Sequence, residues 1–178
     1  VWRLVAAGDG RVGRLTGRGL RLACALGSGG VTTDKREGDG ATPAGCWPVR
    51  RLRYRPGRVA VPATRLPRLP VRFRDGWCDD PGHPAYNRPV RLPLPASAER
   101  LQRPDRLYDL VVELGHNDDP PVPGAGSAIF LHVARPGLRP TAGCIALPLH
   151  QLRRLVARLR RGDRILVQSG KSPSGARQ

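Results

Sequence analysis

Two residue types that do chemistry together stand twelve positions apart in the C-terminal third of the chain, His132 and Cys144. His132 follows the apolar run Ala128 to Leu131, a Pro/Gly/Arg passage comes next, and Gly143-Cys144 opens a second apolar run, Ile145 to Leu147. A cysteine is a useful nucleophile as its thiolate, and a neighbouring imidazole is a common way of producing one. The chemistry this spacing offers is attack of sulfur on a carbonyl, with the histidine carrying the proton. Gly143 lets the backbone approach a substrate closely, and the amides of Ala142 to Cys144 are candidates for stabilising an oxyanion. The spacing alone also suits a small buried cysteine beside a core histidine.

These residues need strands that end near one another. Ser127 to Val133 reads as a strand carrying His132, and Leu107 to Leu114 as a central strand, because both are β-branched or apolar. Trp2 to Leu26 reads as a three-stranded meander with glycine turns, and Cys46 to Tyr54 as a further strand. One amphipathic helix is predicted from Pro148, with Leu149, Leu152, Leu155, Val156 and Leu159 on one face and Gly162 at its end. Gly27 to Gly45 is a glycine-rich passage without a Walker-type phosphate loop, read as a loop that orders over the domain. Asp79-Asp80 reads as turn formers and charge balance, His83 as a loop residue, and His116 and His150 as surface or capping residues.

The formal charge of +17 raises the question of nucleic acid, but only Lys35 and Lys171 are lysines and the arginines spread along the whole chain. Neither zinc-finger spacing nor an aromatic-basic stacking platform accompanies them, so a solubilising surface, or attraction to a polyanionic envelope polymer, is the preferred reading. The four cysteines Cys24, Cys46, Cys78 and Cys144 form no CxxC pair, which argues against a metal site. With Cys144 kept free, at most one disulfide can form among the other three, and the sequence does not choose the pair. No stretch has the apolar length of a membrane span. The N-terminal residues lack a secretory-signal pattern and the chain begins at Val1, so the export route is left open.

The segments CALGSGGV, KREGDGATPAG, GWCDDP, YNRPV, YDLVVELGHND, GSAIFLHVA and TAGC resemble successive motifs of one bacterial branch of the L,D-transpeptidase family with a YkuD-type catalytic domain, over roughly residues 22–166. Thr141, Gly143 and Cys144 match its [S/T]-H-G-C motif, and His132 matches the upstream histidine. Ala142 stands at the motif's histidine, and Ala146 where the family usually has an arginine. The resemblance implies a mainly β fold, a sandwich of mixed strands with one helix, in a single catalytic domain over residues 1–168 followed by a disordered tail, 169–178. It implies a cofactor-free, monomeric cysteine transpeptidase of the bacterial periplasm. Cys144 would form a thioester with a peptidoglycan stem peptide and pass it to an amine, linking two third positions or, as a variant, a first-position L-alanine to diaminopimelate. His132 would take the thiol proton, held by the carbonyl of Val133. Thr141, Ala142, Arg135, Arg139, Tyr86 and Asn117 are the expected substrate contacts, and carbapenem β-lactams the expected covalent inhibitors. Two rivals stand beside this: a hydrolase of stem peptides using the same Cys/His pair, and a non-catalytic module that binds the envelope or nucleic acid through its arginines.

Overall fold

The computed structural model describes residues 1–170, so most of the expected C-terminal tail, from residue 171 on, lies outside the described residues. The chain forms β1 (Trp2–Ala7), β2 (Val12–Gly17), β3 (Leu20–Ala25), β4 (Val31–Thr32), β5 (Thr42–Pro43), β6 (Gly45–Tyr54), β7 (Arg68–Pro70), β8 (Asp75–Cys78), β9 (Pro89–Arg91) and β10 (Ala98–Arg100). It continues through β11 (Leu110–Leu114), β12 (Phe130–Val133), β13 (Ile145–Leu147), the helix α1 (Leu149–Arg158) and β14 (Arg164–Gln168). This is the mainly β composition expected, with one α-helix among the described residues.

Period-two patterning builds the N-terminal strands. Trp2, Leu4 and Ala6 point inward while Arg3, Val5 and Ala7 face water, and Leu20, Leu22 and Cys24 repeat the pattern in β3. The main sheet runs β11-β12-β13-β3-β2-β1-β14-β6-β7 and mixes parallel with antiparallel pairs. β6 pairs with β14 through residues 45–48 and with β11 through residues 49–54, so the sheet meets itself. The two packed faces expected of a sandwich therefore belong to one sheet closed through the long strand β6.

The interior holds Trp2, Leu4, Leu15, Leu22, Leu52, Leu110, Val112, Leu131, Ile145 and Leu147, against which α1 packs Leu152, Leu155 and Val156. Burying such a side chain stabilises the fold by about 1.5–3 kcal/mol. The helix begins after Pro148 as predicted but ends at Arg158, before Gly162; Leu159 leaves helical geometry while its side chain stays in the core. A second apolar cluster, Val71, Trp77, Leu101, Tyr108, Val111 and Phe130, lies on the other face of β11 and β12, against the small sheet β10-β8-β9. That outer face is where the polar chemistry collects.

Candidate active site

β12 and β13 are adjacent and parallel, and their register pairs His132 with Ala146. In a pleated pair, directly opposed residues share a face and alternate residues return to it. Leu131, Val133, Ile145 and Leu147 thus enter the core, while His132, Ala146 and Cys144 line one cleft of about 570 Å³ on the opposite side. Arg135, Arg139, Thr141 and Ala142 line the same cleft, so six of the nine site residues expected from sequence converge there.

The local backbone explains how Cys144 is held. The Thr141 hydroxyl donates to the Cys144 carbonyl at 2.6 Å and accepts the Gly143 amide at 3.1 Å. Thr141 is itself pinned beside the end of β3, its N–H donating to Leu26 and its carbonyl accepting from Ser28. Gly143 has φ +131°, and a Cβ there would sit 2.9 Å from the Ala41 carbonyl oxygen, so glycine is required on both counts. The Gly143 amide is occupied by Thr141, which removes it from the expected oxyanion donors.

Both reactive side chains are buried. His132 donates from Nδ1 to the Val133 carbonyl oxygen at 2.9 Å, the orientation expected of it. The donor form leaves Nε2 unprotonated and able to act as a base. Burial drives the imidazole down to about 4. The Cys144 sulfur donates to the Ala128 carbonyl at 3.2 Å and accepts the Phe130 amide at 3.4 Å, and burial, with Glu99 adding to it, pushes the thiol up to about 12. The resting pair is a neutral thiol and a neutral imidazole that share a cleft without a hydrogen bond between them.

The remaining sequence candidates fall elsewhere. Tyr86 is buried, and its hydroxyl donates to Glu37 at 2.5 Å, so it reaches the cleft through that carboxylate. Asn117 adopts φ +49° and ties its own loop, donating to the carbonyls of Val122 and Gly126 and accepting the Val122 amide. His83 accepts the Ala85 amide within its loop, and His150 is exposed. His116 departs from the surface reading: it is buried and packs edge-on against Trp47 at 4.7 Å. All four cysteines are free thiols, and Cys24 sits in the core, where burial raises it to about 12.

Three acidic side chains also line the cleft: Glu37 and Glu99, which sequence reasoning missed, and Asp79, which it read as a turn former. Asp80 is the turn former expected, accepting the Gly82 amide, but Asp79 is part of the cleft wall. Tyr108 donates to Glu99 at 2.6 Å and meets the His132 ring edge-on at 5.2 Å. Glu37 and Glu99 carry no local signal, and Asp79 shows only its turn chemistry, because what unites the three is pairing between segments twenty or more positions apart.

A mixed β sheet that presents a histidine and a cysteine from adjacent parallel strands to one polar cleft defines a β-rich domain of the cysteine–histidine type. The family model for the L,D-transpeptidase catalytic domain, YkuD, matches residues 3–167, and the chain belongs to that family, whose members are cysteine-dependent transpeptidases acting on peptidoglycan. No curated protein and no solved structure matches the chain. No helix among the described residues is long and apolar enough to cross a membrane.

Proposed function

We propose that residues 1–168 act as one monomeric catalytic domain that cross-links peptidoglycan in the bacterial periplasm, with Cys144 as nucleophile and His132 as general base. The observation that carries this reading is that His132 on β12 and Cys144, the residue before the adjacent parallel β13, line one cleft. The thiol turns from the Ala128 carbonyl to His132 Nε2, loses its proton there, and attacks the carbonyl of diaminopimelate at the third position of a stem peptide. The C–S bond forms as the amide to the terminal D-alanine breaks, and that amine leaves with the proton from His132. An amine acceptor then resolves the thioester, giving a link between two third positions or the variant between L-alanine and diaminopimelate. Gly143 supports the turn that presents Cys144, and Thr141 locks it.

Where the family usually has an arginine, Ala146 pairs with His132 across the strands, and this departure keeps the variant link beside the link between third positions. Basic groups for substrate carboxylates are then Arg135 and Arg139, both exposed at the cleft. The test is mass spectrometry of the products from purified disaccharide-tetrapeptides, beside acylation by a carbapenem. Dimers and a covalent adduct, both abolished by Cys144→Ala, are expected; monomeric hydrolysis products alone would replace transfer with hydrolysis, and an adduct retained in the variant would remove Cys144 as nucleophile.

A further inference from the structure

In a chain of net charge +17, the catalytic cleft gathers three carboxylates, Glu37, Asp79 and Glu99. They arrive from separate elements: Glu37 from the β4–β5 connection, Asp79 from the end of β8, and Glu99 from β10. The antiparallel β8–β10 register, with Trp77 opposite Glu99, sets Asp79 and Glu99 diagonally on one face. Burial raises Glu99, the Tyr108 hydrogen bond and the charge of Arg103 lower it, and the charges of Asp79 and Glu37 raise it again.

Resident cations balance this cluster only in part. Arg103 lies 3.7 Å from Glu99, but its closer partner is Asp105 at 2.8 Å, and among the described residues neither Glu37 nor Asp79 forms a salt bridge. Two acceptor atoms of the same cleft are also unused. Asp79 Oδ1 is buried without a hydrogen-bond partner. Ser127, 7% exposed, has a buried Oγ that lies beside the Tyr86 hydroxyl without a hydrogen bond of standard geometry. Buried polar atoms without partners need a reason, and a ligand that supplies donors is one. Among the described residues no group of His, Cys, Asp or Glu side chains is arranged to hold a metal ion, and a ligand that answers both the carboxylates and the free acceptor atoms is a cation with several N–H donors. A primary ammonium has three.

We propose that Glu37, Asp79, Glu99 and Ser127 form the subsite for the primary ammonium of the acceptor substrate. This rests on the transpeptidase reading above. Arg135 and Arg139 come from the loop after β12 and provide positive charge for carboxylates, so the cleft carries both signs, as an amino-acid acceptor requires. In the transfer step the bound ammonium gives one proton to a carboxylate of the subsite. The neutral amine attacks the thioester carbon, the C–N bond forms as the C–S bond breaks, and the second proton lost by nitrogen passes through His132 to the Cys144 sulfur.

The experiment loads the protein with a tetrapeptide donor, detects the acyl-enzyme by intact mass, and resolves it at pH 7.5 with either diaminopimelate or hydroxylamine, which is uncharged there. Asp79→Asn and Glu37→Gln are expected to raise the half-saturating diaminopimelate concentration at least tenfold over that of the unsubstituted protein, with hydroxylamine resolution altered less than twofold. Unchanged use of diaminopimelate, or equal loss of both nucleophiles, would overturn the subsite while the acyl-enzyme still forms. Failure of the unsubstituted protein to form an acyl-enzyme would instead overturn the transpeptidase reading, and the subsite with it. Should Asp79→Asn not fold, Glu37→Gln decides by the same criterion.

Discussion

The Cys144 thiol donates to the carbonyl oxygen of Ala128, at 3.2 Å. A thiol held this way and desolvated is protonated at neutral pH, unlike a preformed thiolate–imidazolium pair. Iodoacetamide alkylation of Cys144, followed by peptide mapping to separate it from the part-exposed Cys46, is expected to be slow at pH 7. It should rise about tenfold per pH unit from pH 7 to 10, the behaviour of a thiol far below its titration midpoint. A rate plateau across neutral pH would contradict the neutral resting pair.

Substituting the pair should separate their roles. Cys144→Ala is expected to abolish thioester formation, and His132→Gln to slow acylation by about 10²–10⁴-fold, the usual contribution of a positioned general base. Acylation rates measured by intact mass check both.

The buried imidazole also makes stability depend on pH. His132 is driven down from its ordinary value of 6.5 to about 4, so the unfolded chain takes up its proton first as pH falls. Its share of stability is fully present above pH 6.5 and is lost as the pH drops through about 4, amounting to a few kcal/mol. Denaturant unfolding at pH 7 and pH 4 is expected to show a smaller loss in His132→Gln than in the unsubstituted protein. Equal losses would show that the ring is not desolvated.

Gly143→Ala is expected to leave the fold intact but cripple the site. The added methyl meets the Ala41 carbonyl and forces an unfavourable φ, at a cost of about 1–3 kcal/mol of strain that the Cys144 turn can relieve only by moving. A drop in melting temperature of a few degrees with a much larger loss of acylation rate is the expected pattern.

Glu113 on β11 is buried between Arg53 and Arg51, pairing with both, and Arg53 is buried as well. Glu113→Gln leaves the Arg53 guanidinium buried without its countercharge, which costs about 3–5 kcal/mol. Thermal unfolding should fall by roughly 10 °C, on a scale of about 2–4 °C per kcal/mol for a domain of this size.

Local signals in the sequence were enough for some of this. Alternation in Trp2 to Ala7, the leucine stripe of α1, and the placement of His132 and Cys144 at the ends of apolar runs all depend on neighbours within a few residues. The motif around TAGC was legible for the same reason, and so was the family. Tertiary structure alone decided what long-range pairing controls. The closure of the sheet through β6 joins residues some sixty positions apart. The burial of His116 against Trp47 and the free state of all four cysteines follow from that packing. So does the presence of Glu37, Asp79 and Glu99 in the cleft that Cys144 lines: Asp79 reads locally as a turn former, Glu37 and Glu99 carry no local signal, and only the β8–β10 register and the fold of the β4–β5 connection bring their charges into one cleft. Periodicity shows which face a side chain takes, whereas the partner across that face is set by chain segments that periodicity does not relate.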